Sequence, residues 1–375
     1  MSKGKLIKTV LKYVLIPVLL LCAVIFVFGI AYHSHVQHKF QAETKITASG
    51  GTDSLERVTL GGLEQWILLR GHDKTNPVLL FLHGGPGSTM MPWHRTFHTQ
   101  LEAHFTVVHW DQRGAGKSFD SDIAPVSMTI EQFISDTREL VELLTRRFNA
   151  PKVYLVGHSW GSELGTHVVK RYPELFYAYV GLGQVVDNLE AEGISYRFAV
   201  EKAEELGNEK AIRELGEIGP PPYDMEESMR KWEFVAELGG VFRSSLSINS
   251  FFKLGLKSPD YSLGDWLKFY RGIFFSQEHM YDQINNDTHF FVQIPKIEIP
   301  VYFFLGRYDY VTPFEIAERY YQALDAPAGK QIVWFENSGH MVPYEEPVKF
   351  CDILINKVLK ETYPKASAEG VADRQ

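Results

Sequence analysis

Through most of the chain, apolar residues come in short unbroken runs that end in glycine or a polar residue. PVLLFLHGG (77–85), FTVVHWD (105–111), KVYLVGH (152–158), AYVGLG (178–183), VYFFLG (301–306) and QIVWFEN (331–337) each have the length and density of a strand buried on both faces. ERVTL (56–60) and QWILL (65–69) are shorter β-like runs ahead of them. Between several runs the apolar spacing changes to three and four, as in TIEQFISDTRELVELLTRRF (129–148), which predicts amphipathic helices. Strands alternating with helices imply a mostly parallel central sheet with helices on both faces.

The alternation stops near residue 184 and resumes near 300. The stretch between is rich in helix formers and aromatics, with a GPPPYD break at 219–224, and reads as a helical cap inserted at one end of the sheet. The expected organisation is thus a core over 54–183 and 299–361, a cap over 184–298, and a flexible tail over 362–375 that ends in ASAEGVADRQ.

The N-terminus follows a different pattern. Residues 13–32 are uncharged and almost wholly apolar, with a tyrosine at each end. At ~1.5 Å per residue a helix of this length matches the hydrocarbon thickness of a bilayer. A cleaved signal peptide would have a shorter apolar region and a small-residue cleavage site. A lipoprotein signal would have a small residue before Cys22, where Leu21 stands. The expectation is an uncleaved, single-pass anchor. Lys3, Lys5, Lys8 and Lys12 in the basic segment 1–12 put the N-terminus in the cytoplasm and the body outside. Residues 33–53 read as a linker, with His33, His35 and His38 as part of a stalk rather than a metal site.

Composition narrows the function classes. The net charge is −8 even with those lysines, so the body is acidic and lacks the basic balance of a nucleic-acid binder. Cys22 and Cys351 are the two cysteines, and no CxxC or Cys/His zinc spacing occurs. No cofactor or metal is expected.

The chemistry is concentrated in a few short segments. KVYLVGHSWGSELG is strand, tight turn, helix around Gly157, Ser159 and Gly161, the setting that a G-x-S-x-G nucleophile requires. A serine needs a base, and the base needs an orienting acid. Asp309 lies just past VYFFLG and His340 in the loop after QIVWFEN, in the order serine, acid, histidine. Glu336, at a strand end, and Glu345, entering a helix, fit the acid role less well. Upstream, FLHGGPG (81–87) has the flexibility of an oxyanion loop, and the N–H groups of Gly85 and Trp160 are the candidate donors. RGAGKS (113–118) is not a phosphate loop, because its first glycine would fall at Asp111. His158 is expected to support the turn.

Together HGGPG (83–87), DQRGAGKS (111–118), GHSWGS (157–162), GRYDYVTP (306–313) and SGHMVP (338–343) resemble the α/β-hydrolase superfamily, and within it the proline iminopeptidase family. The resemblance covers roughly residues 55–360. It implies an α/β-hydrolase fold, Ser159 as nucleophile, Asp309 as acid, His340 as base, and Gly85 and Trp160 as oxyanion donors. It also implies that Asp111 and Arg113 support the site through a buried charge network. Family members release N-terminal residues from peptides and hold the free amine with acids in a W-x-x-WE segment of the cap. Here MRKWEF matches with Trp232 and Glu233, while Met229 stands in place of the first tryptophan.

The function that follows is a membrane-anchored serine hydrolase, an aminopeptidase acting on short peptides. The alternatives are a lipase-like hydrolase of small esters and a hydrolase-like binding protein without turnover, which the complete triad argues against.

Overall fold

A computed structural model describes residues 11–364, apart from the side chains of Tyr13, Val14, Pro17 and Leu20. The basic stretch 1–10 and most of the expected tail lie outside the described residues.

Among the described residues eight strands form one sheet: β1 (Thr52–Leu60), β2 (Leu63–Gly71), β3 (Val78–Leu82), β4 (Thr106–Asp111), β5 (Val153–His158), β6 (Phe176–Leu182), β7 (Val301–Gly306) and β8 (Lys330–Phe335). Their order is β1-β2-β4-β3-β5-β6-β7-β8, antiparallel at β1–β2 and β2–β4 and parallel elsewhere. β1 and β2 close a hairpin, Leu60 opposite Leu63, through Gly61 and Gly62 at φ +53° and +77°. That two-residue turn with both φ positive fits the twist of a hairpin and favours glycine.

The central strands are buried and mostly apolar because both faces are covered, with Thr106, His109 and Asp111 of β4 and His158 of β5 as buried polar exceptions. The side-chain period of two sends Leu80 and Leu82 to one face and Leu79 and Phe81 to the other. On the first face they meet Leu140 and Leu144 of α2 (Ile130–Phe148) and Leu164 and Val168 of α3 (Trp160–Arg171). On the second they meet Phe350 and Leu354 near the C-terminus. α2 starts where Thr129 Oγ1 accepts the Gln132 N–H at 3.2 Å and stops at Asn149, whose φ of 48° is left-handed.

Between β6 and β7 the described residues form five longer helices, α4 (Asn188–Glu205), α5 (Glu209–Ile218), α6 (Met225–Glu237), α7 (Ile248–Gly255) and α8 (Leu263–Asp287), and a single short turn of helix at Phe290–Gln293. GPPPYD falls between α5 and α6. α6 and α8 begin with reciprocal caps, Asp224 with Glu227 and Ser262 with Asp265.

The N-terminal segment departs from expectation in two ways. The helix α1 (Ile16–Glu43) runs through residues 33–43, expected as linker, and docks there. One turn apart, His33 Nε2 meets the Leu256 carbonyl at 2.9 Å, and Gln37 Nε2 donates to the carbonyls of Ser258 and Tyr261 at 2.6 and 2.7 Å. These carbonyls follow the end of α7, where backbone acceptors lack intrahelical donors. Second, among the described residues no helix is long and apolar enough to cross a membrane. The span expected over 13–32 includes the four side chains that lie outside the description.

Candidate active site

The turn after β5 carries Ser159 at φ 54°, ψ −123°, a strained conformation for a residue with a side chain. It is held by the Ser159 N–H bond to the Leu182 carbonyl at 2.9 Å and by Ser162 N–H and Oγ, which both bond the Ser159 carbonyl. A Cβ on Gly157 would lie 2.2 Å from the Gly161 carbonyl oxygen, and one on Gly161 would lie 2.1 Å from that of Leu82. No other residue fits at either position. Ser159 therefore stands at the N-terminus of α3, where helix N–H groups favour negative charge.

The loop after β7 places Asp309, buried, where Oδ1 accepts the N–H groups of Val311 and Thr312 at 3.0 and 2.9 Å. Its Oδ2 accepts Thr312 Oγ1 and His340 Nδ1, both at 2.9 Å. An ionised carboxylate only accepts, so the His340 proton sits on Nδ1 and the lone pair on Nε2 is available as a base. His340 is fixed by its own N–H to the Val241 carbonyl at 2.8 Å, and His158 Nε2 donates to the His340 carbonyl at 2.9 Å. Burial, and then the neighbouring His340, lower His158 to about 3, so it stays a neutral donor. The support expected for the turn goes instead to the loop of His340, where the His158 ring makes its hydrogen bond. Among the described residues Ser159 Oγ makes no hydrogen bond to His340, so the acid–base half of the constellation is closed and the base–nucleophile half is open.

HGGPG reaches the serine from the side: a Cβ on Gly84 would lie 3.1 Å from Ser159 Cβ. Buried His83 donates through Nδ1 to the Gly84 carbonyl and accepts the Gln112 N–H at Nε2. Gln112 Nε2 returns to the His83 carbonyl, and Gln112 Oε1 accepts Trp160 Nε1 at 3.0 Å. One side chain thus ties three separated motifs together. The N–H groups of Gly85 and Trp160 have no backbone acceptor among the described residues.

Asp111 and Arg113 do not share a network. Arg113 pairs with buried Asp136 at 2.9 Å. Asp111 is bonded by Thr89, by Tyr261 of the insertion and by the Lys117 N–H, and burial raises it to about 6. Trp232 and Glu233 lie on the exposed side of α6 and form no hydrogen bond or ion pair among the described residues. Their neighbour Lys231 is the buried charged residue of the segment, bonded to Glu192 at 2.6 Å and to Ser195 at 3.0 Å.

Three features had no sequence signal specific enough to find them. Gly183, at φ +52°, abuts the Asp309–His340 pair, and a Cβ there would lie 3.0 Å from Asp309 Oδ2 and from His340 Cε1. Glu163 on α3 is fully buried and accepts Thr288 Oγ1 and Asn188 Nδ2, so it holds both ends of the insertion. His94, His98 and His109 are buried with nitrogens within 4.8 Å, a set that could hold a metal ion. His94 already bonds Glu102 and His109, and His98 bonds the Pro343 carbonyl.

Fold and site together define an α/β hydrolase with a serine at its elbow. Residues 77–206 match the α/β-hydrolase-fold family. A probable aminopeptidase, YbaC, of Bacillus subtilis (strain 168) is 37% identical over 303 residues, 80% of this chain and 94% of that protein. A proline iminopeptidase of Saccharolobus solfataricus is 23% identical over 300 residues, 75% of this chain and 84% of that one. In structure, a membrane phospholipase A described as a bacterial virulence factor is similar at TM-score 0.64 and 18% identity, over 94% of this chain and 99% of that one. The chain belongs to the α/β-hydrolase superfamily, in its proline iminopeptidase-like family, and is a hydrolytic enzyme.

Proposed function

We propose that the protein is a serine aminopeptidase of proline iminopeptidase type that releases N-terminal residues from short peptides. Ser159 Oγ attacks the carbonyl carbon of the first peptide bond while its proton passes to His340 Nε2. Asp309 holds the imidazolium that forms. The tetrahedral oxyanion is met by the N–H groups of Gly85 and Trp160. Collapse breaks the C–N bond, and the leaving amine takes the proton from His340. Water then adds to the acyl-enzyme through the same base and releases the amino acid. The observation that carries this reading is the His340–Asp309 bond at 2.9 Å, which leaves Nε2 as a base in a site with Ser159 at a strained elbow.

The proposed amine ligand is Glu233, with Trp232 beside it. Having no hydrogen-bond or ion-pair partner among the described residues, the carboxylate is available to an ammonium group. The exposure of both residues also supports a second reading, an esterase of small esters, in which they have no part. Prolyl and alanyl amides, free or N-acetylated, assayed beside a p-nitrophenyl ester separate the two. The first reading expects amide cleavage that is lost on acetylation; ester cleavage alone would overturn it.

The N-terminal helix is proposed as a membrane anchor, with the lysine-bearing end cytoplasmic and the catalytic body outside. From Val24 to Phe28 every side chain is exposed, so this part of the helix is apolar on all sides with no other described residue covering it, which suits lipid and not water. Recovery of the full chain in the aqueous fraction after alkaline extraction of membranes would overturn this.

A further inference from the structure

We propose that a second surface, on α7 and α8, rests on the same bilayer and is built for anionic lipid headgroups. The inference rests on the anchor reading above. α8 buries Trp266, Phe269, Gly272, Ser276 and Met280 and leaves Leu263, Leu267, Tyr270 and Phe274 exposed at spacings of four, three and four. Leu267 is 64% exposed and Phe274 56%. Those spacings put them in one stripe along three turns of helix, a contiguous apolar face and not scattered surface residues. The stacked rings of Phe252 and Tyr270 join it to α7.

The position of this stripe follows from the docking of α1. His33 is the first residue after the apolar run, and it bonds the carbonyl of Leu256, itself exposed. With 13–32 in hydrocarbon, Leu256 sits at headgroup level, and Gln37 fixes Ser258 and Tyr261, just before Leu263, to the same helix. Charge points the same way. Lys253, Lys257, Lys268 and Arg271 form no ion pair among the described residues, whereas the acids between residues 253 and 274 are taken, Asp260 by Arg95 and Asp265 by Lys117; the unpaired acids of α8, Glu278, Asp282 and Asp287, come after the stripe. In a chain of net charge −8, that leaves a local excess of cations without ion pairs around an apolar stripe, Arg271 resting over the Phe119 ring, which is the composition of an interfacial helix. The inner side of the same helix packs on the oxyanion loop: a Cβ on Gly87 would lie 2.8 Å from the Gly272 carbonyl oxygen.

The test places an environment-sensitive dye on single cysteines of the full chain, in a Cys22→Ser background that keeps buried Cys351. Leu267→Cys reports on the stripe, Phe26→Cys on the anchor, and Val126→Cys, 86% exposed elsewhere, on water. The protein is reconstituted in phosphatidylcholine–phosphatidylglycerol vesicles with or without a doxyl-lipid quencher. The proposal expects blue-shifted, lipid-quenched emission at 267 and 26 and neither at 126. Quenching at 26 with a water-like signal at 267 would overturn the second surface and leave the anchor standing. A water-like signal at both would remove the anchor reading and the surface with it. A blue shift at 267 that lipid does not quench would mean that protein covers the stripe, which also overturns the proposal.

Discussion

Thr288 Oγ1 donates to Glu163 Oε1 at 2.6 Å, which fastens the end of the helical insertion to the helix that starts beside Ser159. Asn188, at the other end of the insertion, reaches the second oxygen of the same carboxyl at 3.3 Å. One buried acid therefore positions both stems of the element that covers the sheet edge.

Glu163 also gives stability a pH dependence. Burial raises its pKa from 4.5 to about 8, against the two donors that lower it. Between those values the unfolded chain has lost the proton and the folded chain keeps it, so the unfolded state binds fewer protons. Its contribution to stability falls as pH rises through that window and levels off above it. Chemical denaturation of wild type and Glu163→Gln across the window should show wild type losing ground to the variant as pH rises. A difference that is constant with pH would contradict this.

Gly183→Ala should damage catalysis more than folding. The new methyl would meet Thr312 Oγ1, Asp309 Oδ2 and His340 Cε1 at a backbone φ of +52° that disfavours a side chain. A displacement of about 1 Å at the acid–base pair is worth roughly 10²-fold in rate. The expected result is a kcat lower by about that factor with circular dichroism unchanged.

Arg113→Met leaves Asp136 charged and buried beside Gln65 and Gln132. Breaking one side of such a pair costs about 3–5 kcal/mol. Urea unfolding should show a loss of that size. A loss under about 1 kcal/mol, the surface-pair range, would mean that the pair is not sealed from water.

Glu233→Gln tests the amine ligand. A charge-assisted hydrogen bond contributes about 1.5–3 kcal/mol, so KM for aminoacyl amides should rise by roughly 10-fold or more while ester hydrolysis is unchanged. Equal effects on both substrates would exclude an amine role.

The strands were legible because a strand buried on both faces has no polar positions to blur it: VLLFL of β3 and VYFFLG of β7 are apolar or glycine throughout. The site segments were legible for a related reason. Gly157 and Gly161 sit where a Cβ would lie within about 2 Å of a carbonyl oxygen, and such steric demands appear directly as residue types. Roles set by tertiary burial were not legible. Glu163 reads along its helix as a solvated acid, and only the insertion folding back makes it a tether. His33 and Gln37 looked like a stalk because the carbonyls they dock against lie more than 220 residues away. Lys231 of MRKWEF proved to be buried along with Phe234, with Trp232 and Glu233 turned to solvent.

The central claim is that Ser159, activated by His340, forms the covalent intermediate. The most direct measurement is intact-mass and peptide-mapping spectrometry of the full-length enzyme after treatment with a fluorophosphonate, for wild type, His340→Asn and Ser159→Ala. A single adduct on Ser159 of wild type, slowed by several orders of magnitude in His340→Asn and absent from Ser159→Ala, is the predicted result. Full hydrolytic activity in Ser159→Ala, or an adduct on any other residue that abolishes activity, would contradict it.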